Sequence, residues 1–282
     1  MSCPYKPNSR DMEDSIHTDF KDDMSYGDYL CLDKILSAQN LLSVQHDEML
    51  FIVIHQASEL WLKLAGHELS SAIAHVKKEN FGPAFKDISR VKQIIRQLTQ
   101  SWDILSTLTP ADYLKFRDDL GHSSGFQSYG YRKIEFILGN KNASLLQVHK
   151  SNKAVHSDLK DVLEQPSLYD EVIAILHSKG LIIDDEVLNR DVTKPYESND
   201  SVMNAWLKVY QNPDEYFEYY ELAEKLVDIE DTIQQWRFKH MSTVMRIIGN
   251  KMGTGGSSGV GFLKKALDIS FFPELYEVRT RL

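Results

Sequence analysis

The stretch DEYFEYYELAEKLVDIEDTIQQWRFKHMSTVMRII, residues 214–248, decides the fold class. Leu222, Leu226, Ile229, Ile233 and Trp236 recur every three or four positions, and His240, Val244 and Ile247 continue the same stripe. That spacing gathers apolar side chains on one face of an α-helix. The whole stretch predicts one helix on the order of 50 Å long at 1.5 Å per residue. A helix of that length with one apolar stripe needs long helices to pack against.

The chain upstream supplies them. Behind Asp47, the expected start of a helix, Leu50, Ile54, Ala57, Trp61 and Leu64 keep helical spacing, and from Pro83 on Phe85, Ile88, Val91, Ile95, Leu98, Trp102 and Leu105 do the same. TPADYLKF (109–116) carries a start signal, with Thr109 as N-cap, Pro110 in the first position and Asp112 near the positive end of the dipole; Gly121 is its expected end. A further helix is expected over Phe126 to Leu138, stopped by Gly139 and Asn140. Ser25 and Asp28 form a capping-box pattern opening a short helix that presents Tyr26, Tyr29, Leu30 and Asp33 on one side. From about 148 to 210 the pattern is less regular, with short helices expected at 154–163 and 168–177, as an insertion or satellite. Residues 1–20 are polar and patternless and are expected to form a flexible arm. Alternating strand runs and internal repeats are absent from the sequence. The expectation is a single all-α domain over residues 1–282, a bundle of long helices.

Composition narrows the function. With 282 residues, 42% hydrophobic and 26% charged, the chain is expected to bury a full core without disulfides. Its formal charge of −9 speaks against nucleic-acid backbone binding as the main role. Only Cys3 and Cys31 are present, without a C-x-x-C pair, which fits a reducing, cytoplasmic setting and gives no support to a thiolate metal site. The first residues have neither a signal core nor a transit pattern, and no stretch approaches the roughly 20 apolar residues of a membrane span.

Next to the long helix lies GTGGSSGVG (253–261), five of the chain's 14 glycines. It lacks the G-K-[ST] ending of a phosphate loop and the G-x-G-x-x-G spacing, and it follows a helix where both motifs follow a strand. Two readings stay open: a flexible connector, or a mobile cover that lets backbone approach a ligand. His240 likewise reads as a satisfied core imidazole or as the neutral ligand of a haem iron, which leaves little sequence trace. His55, interrupting MLFIVIHQASELW one turn after Phe51, is a core histidine or a second site residue. None of the ten histidines has a Glu three positions before it, and H-E-x-x-H is absent, so multi-ligand metal sites find little support. Arg117, one turn after Tyr113 and beside Phe116 and Leu120, is either a snorkelling surface residue or a fork for a carboxylate. Tyr26, Tyr29 and Tyr113 are half-buried packing residues or pocket residues, and Ser124 caps the next helix or borders a site.

DEMLFIVIHQASELWLK, FRDDLGHSSGFQS, YRKIEFILGNKN, WRFKHMSTVMRIIGNKMGTGGSSGVGFL and FFPELYEVRT together resemble the tryptophan 2,3-dioxygenase family, over about residues 16–282. The resemblance implies a ferrous haem b ligated by His240 and bordered by Ser124 and Gly125, with His55 as the catalytic, distal-side histidine near the indole N–H. It implies that Arg117 pairs with the tryptophan carboxylate and that Thr254 holds the ammonium and carboxylate end. Phe51, Tyr113, Leu120 and Ser124 then line the pocket, and Tyr26, Tyr29 and Leu30 come from a neighbouring subunit of a homotetramer. The implied reaction is O2-dependent opening of the indole C2–C3 bond of L-tryptophan to N-formylkynurenine, the first step of the kynurenine pathway. A haem-binding O2 or redox sensor without turnover, or a haem-free interaction module, are the alternatives.

Overall fold

The computed structural model describes residues 11–282, so Cys3 and the first half of the expected arm lie outside the described residues. Among the described residues every regular element is helical, and no helix is long and apolar enough to cross a membrane. The chain forms two compact units that divide between Leu41 and Leu42.

In the first unit, α1 (Tyr26–Leu30) starts at the expected Ser25–Asp28 capping box, with both reciprocal hydrogen bonds present. The helix does not run on to Asp33. Cys31 takes the left-handed conformation, φ 50°, and ends it, and α2 (Leu32–Leu36) begins afresh, so Asp33 belongs to a separate helix.

The second unit holds the long helices. α3 (His46–Val76) and α4 (Phe81–Leu105) pack together, and α5 (Pro110–Leu114) follows with Thr109 accepting a hydrogen bond from the Asp112 N–H. The α-helix stops there, and a separate 3-10 turn over Arg117–Leu120 carries the chain to Gly121. A 3-10 turn at Gly125–Gln127 precedes α6 (Tyr129–Leu138), which ends at Gly139 with φ 118°. Then come α7 (Lys153–Glu164), α8 (Leu168–Ser178), α9 (Asp185–Leu188), α10 (Asp200–Gln211), α11 (Phe217–Ile248), α12 (Val260–Ala266) and α13 (Pro273–Arg281). α11, the stretch that sets the fold class, lies along α4, and α6 lies along α3.

The main core runs through Leu62, Leu69, Ala72, Ile88, Val91, Leu98, Leu222, Leu226 and Ile229. The less regular middle is part of it: Tyr169, Val172, Leu176, Trp206 and Val209 are buried in the same cluster. Burying each large side chain contributes about 1.5–3 kcal/mol. Buried charges then fix the ends of elements. Glu230 of α11 accepts from Ser270 Oγ at 2.6 Å and from the Phe271 and Phe272 N–H groups at 2.8 and 2.9 Å, just before α13. Glu274 of α13 accepts from Tyr169 Oη at 2.9 Å, Tyr196 Oη at 2.6 Å and Asn199 N at 2.9 Å. Glu48 holds Leu42 N and Ser43 N at 2.7 and 2.8 Å, anchoring the entry to α3.

Lys141 is fully buried, and its ammonium donates to the carbonyls of Val162, Leu163 and Gln165 at 2.7, 3.1 and 2.7 Å. These are last-turn acceptors of α7, which have no partner within their own helix, and a cation there also opposes the dipole. Lys141→Met keeps most of the volume and strands the carbonyls. The expected cost is about 3 kcal/mol, read as a thermal midpoint lower by about 5 °C or more in calorimetry; an unchanged midpoint refutes the clamp.

Candidate active site

At one end of α3, α4 and α11 a second apolar cluster forms from Ile54, Trp102, Leu105, Leu108, Tyr113, Phe116 and Ile247, with Leu50, Phe51, Leu120 and Trp236 packed against it. Both sequence-selected histidines enter this cluster. The His240 ring stacks on the Trp102 indole, centroids 4.5 Å apart and planes 11° apart, and lies 5.5 Å from the Trp236 ring. Burial pulls the His240 pKa down to about 4, and the nearby His55 pushes the same way. The imidazole is therefore neutral at ordinary pH.

His55 sits one helical turn after Phe51, ring centroids 4.3 Å apart, and 6.5 Å from the Trp102 ring. Its Nδ1 is 2.7 Å from the Phe51 carbonyl oxygen. A carbonyl only accepts, so Nδ1 carries the proton and Nε2 keeps a free lone pair. Burial lowers the His55 pKa against the opposing pull of the Phe51 carbonyl and the Glu59 carboxylate, so this ring is neutral too. Phe51 also meets Tyr113 and Phe116 at 6.0 and 5.7 Å, which makes one aromatic group of the three rings. Burial pushes the Tyr113 phenol up, while Arg117 beside it acts in the opposite direction.

The polar edge is built from loops. Arg117 donates from Nη2 to the Met252 carbonyl at 2.7 Å, and its Nε is buried without a partner. Thr254 Oγ1 donates to the Ser123 carbonyl at 2.5 Å. Gly255 rests so closely on Ser124 that a Cβ there would meet the Ser124 Cβ at 2.7 Å. The glycine run is thus folded onto the 123–125 strip and Arg117. Its far end continues into α12, where Phe262 packs edge-on against Phe126 at 5.5 Å. At the base, Gly259 has φ 60° and lies where a Cβ would be 2.5 Å from the Lys251 carbonyl oxygen.

Most of the expected residues converge. Phe51, His55, Tyr113, Leu120 and His240 belong to one cluster, and Arg117, Ser124 and Thr254 meet the glycine loop at its edge. Gly125 opens the short turn after Ser124. Tyr26, Tyr29 and Leu30 belong to the first unit, where both tyrosine rings are exposed, 75% and 74%, rather than packed. Trp102 and Trp236 were visible only as members of helical stripes, yet both flank His240, and both indole N–H groups are buried without a partner. The carbonyls of Ser123 and Met252 leave no mark on a sequence at all.

Two neutral imidazoles in an aromatic cluster, with an arginine at its edge and a glycine loop folded over that edge, make this end of the helical bundle the candidate site. The profile described as tryptophan 2,3-dioxygenase matches residues 11–282. A Shewanella woodyi protein is 72% identical over 286 residues, with all of both chains covered. Proteins of Bacillus thuringiensis subsp. konkukian and Geobacillus thermodenitrificans are 58% and 55% identical, covering 96% and 98% of this chain and 97% and 99% of their own. All three relatives bear the name tryptophan 2,3-dioxygenase. The chain belongs to the tryptophan 2,3-dioxygenase family.

Gly259→Ala tests how the loop is held. The added methyl meets the Lys251 carbonyl and forces a left-handed alanine, so amide hydrogen exchange over 251–259 is expected to speed up by about tenfold or more. Unchanged exchange would show that the base of the loop does not hold it.

Proposed function

We propose that this chain is a haem-dependent dioxygenase that opens the indole C2–C3 bond of L-tryptophan with O2 to give N-formylkynurenine, the first step of tryptophan catabolism. The observation that carries the reading is the presence of two neutral imidazoles, His240 and His55, around one indole ring in an aromatic cluster with Arg117 at its edge. Iron ligation needs a neutral imidazole, and burial supplies one at His240. The partnerless Trp102 and Trp236 N–H groups beside it fit a site made for a further polar group. Among the described residues, no three His, Cys, Asp or Glu side chains converge, so an iron held by His240 would need ligands that the side chains here do not supply, as a haem would bring.

His240 would hold the haem b iron, with Ser124 and Gly125 bordering the ring. When bound in its ferrous state, the haem supplies the activation of O2 that no side chain here offers. The protein contributes position. His55 Nε2 accepts from the indole N–H, and Phe51, Tyr113 and Leu120 enclose the ring. Arg117 turns its spare N–H groups to the carboxylate, which selects an amino acid over free indole. Thr254 exchanges the Ser123 carbonyl for the ammonium and carboxylate end, and the glycine loop keeps water out. Binding at several fixed points converts encounter into orientation. Residues 1–282 act as one catalytic domain of a cytoplasmic homotetramer, in which Tyr26, Tyr29 and Leu30 complete a neighbour's site; the exposure of both tyrosine rings supports that role.

Reduced, haem-loaded protein given L-tryptophan in air is expected to develop the absorbance of N-formylkynurenine, and His240→Ala to lose both the Soret band and turnover. Haem binding without product would leave only a sensor. Arg117→Ala is expected to keep the Soret band and lose about 30-fold or more in kcat/KM, as a charged hydrogen-bonding partner does; an unchanged value excludes the carboxylate role.

Subunit sharing predicts complementation. Mixed oligomers of a Tyr26→Ala/Tyr29→Ala chain with an Arg117→Ala chain should show activity above that of either parent, because some sites then draw each part from an intact donor. Absence of recovery in verified mixed oligomers contradicts sharing.

A further inference from the structure

We infer that Glu59 is a positioning residue: from the helix that carries His55, its carboxylate holds the strip of chain on which the glycine loop rests, and through that strip it sets the place of Thr254. The inference rests on the reading of Arg117 and Thr254 as the grip on the polar end of the substrate.

Glu59 lies one turn after His55 on α3. Its Oε1 accepts from Ser128 Oγ at 2.5 Å, and its Oε2 accepts from Gly130 N at 3.2 Å. Ser128 is the N-cap of α6, and its hydroxyl oxygen also accepts from Tyr131 N at 3.1 Å. One carboxylate, 69 residues away in sequence, therefore anchors the cap and the first turn of another helix. Those N–H groups have no partner inside α6, and a negative charge is favoured at that end. The contact is close by construction. A Cβ at Gly130 would lie 2.8 Å from the Leu62 Cβ and 2.9 Å from Glu59 Oε2, so only glycine brings the start of α6 this near to α3.

The hold passes backward along the chain. Ser128 N donates to the Gly125 carbonyl at 3.0 Å, and Gln127 N donates to the Ser124 carbonyl at 2.9 Å. Ser124 to Ser128 is thus one hydrogen-bonded turn fastened at its far end by Glu59. At its near end the Ser123 carbonyl accepts from Thr254, and Gly255 rests on Ser124. Glu59 touches none of the groups assigned to the substrate. It joins the α3 helix, which fixes His55, to the surface that locates Thr254, so that both ends of a bound amino acid are measured from one rigid element. A displacement of about 1 Å in such a support is enough to weaken binding at a multi-point site.

The same carboxylate also acts on His55 through its charge, and the experiment separates the two effects. Steady-state kinetics with L-tryptophan are measured on haem-loaded wild type, Glu59→Ala, Glu59→Gln and Arg117→Ala, together with the rate of tryptic cleavage after the exposed Lys251, with and without L-tryptophan. Glutamine keeps an oxygen that accepts one of the two hydrogen bonds but carries no charge. Glu59→Ala is expected to raise KM about fivefold or more with kcat within about twofold, to retain the Soret band, and to speed cleavage after Lys251, whereas Glu59→Gln stays within about twofold of wild type throughout. Wild-type KM and cleavage in Glu59→Ala overturn the inference. So does a Glu59→Gln enzyme as impaired as Glu59→Ala, because charge rather than the hydrogen-bonded hold then matters. Arg117→Ala marks which layer has failed: a raised KM there with a silent Glu59→Ala defeats only the role of Glu59, while a silent Arg117→Ala defeats the reading beneath it. If Glu59→Ala does not accumulate, Ser128→Ala, which removes one of the two bonds, is held to the same outcomes at smaller amplitude.

Discussion

A neutral imidazole stacked face to face on an indole is the interaction on which the rest of this structure turns. His240 keeps its ring uncharged because burial beside Trp102 and Trp236 penalises the charged form and the second imidazole of His55 acts in the same direction. Desolvation of an ionised ring is expensive, so chemistry that needs the free lone pair of an imidazole is favoured over chemistry that needs a proton donor. The long helices exist, in this sense, to bring these rings together: α3 delivers Phe51 and His55, α4 delivers Trp102, and α11 delivers Trp236 and His240.

Rings on helices are placed by helical pitch, and the polar edge is placed by loops. This division explains the density of buried charge around the scaffold. Lys141, Glu48, Glu230 and Glu274 are each almost fully buried, and each satisfies several backbone or hydroxyl groups at the end of an element. Such a group, fully hydrogen-bonded, specifies one arrangement, because any alternative packing leaves it unpaired in a medium of low dielectric. The loops that carry Arg117, Ser123 and Thr254 are tied instead by their own hydrogen bonds, Arg117 to the Met252 carbonyl and Thr254 to the Ser123 carbonyl.

The long helices and their caps were legible because periodicity and capping are local. The stripe of 214–248, the Thr109–Pro110 start, the Ser25–Asp28 box and the Gly139 stop all appear where the sequence pattern puts them. The face of α3 was less legible: Trp61 is 37% exposed, and Leu62, Ala65, Leu69, Ala72 and Val76 carry the burial, since small residues permit close helix contact without standing out by hydrophobicity. Cys31 broke a helix that the capping pattern alone would extend, because the left-handed turn there has no glycine to announce it. At the site, His55 and His240 stood out as polar interruptions of apolar runs. Trp102 and Trp236 did not, since an indole in a stripe looks like any other core residue. The Ser123 and Met252 carbonyls, and the Glu59 contacts to Ser128 and Gly130, join residues far apart in sequence and exist only once the helices have packed.

The Glu274 carboxylate has a bearing on how the molecule is made. Tyr169, whose hydroxyl it accepts and which in turn takes the Trp206 indole N–H, lies 105 residues earlier in the chain. On a ribosome, α8 and α10 emerge well before the acid that completes their hydroxyl and amide contacts. Until translation reaches α13, the nascent middle segment holds polar groups that its final core will bury but cannot yet pair. Late closure of this kind leaves those groups exposed to solvent until α13 has folded, so the network forms only after both distant segments are present.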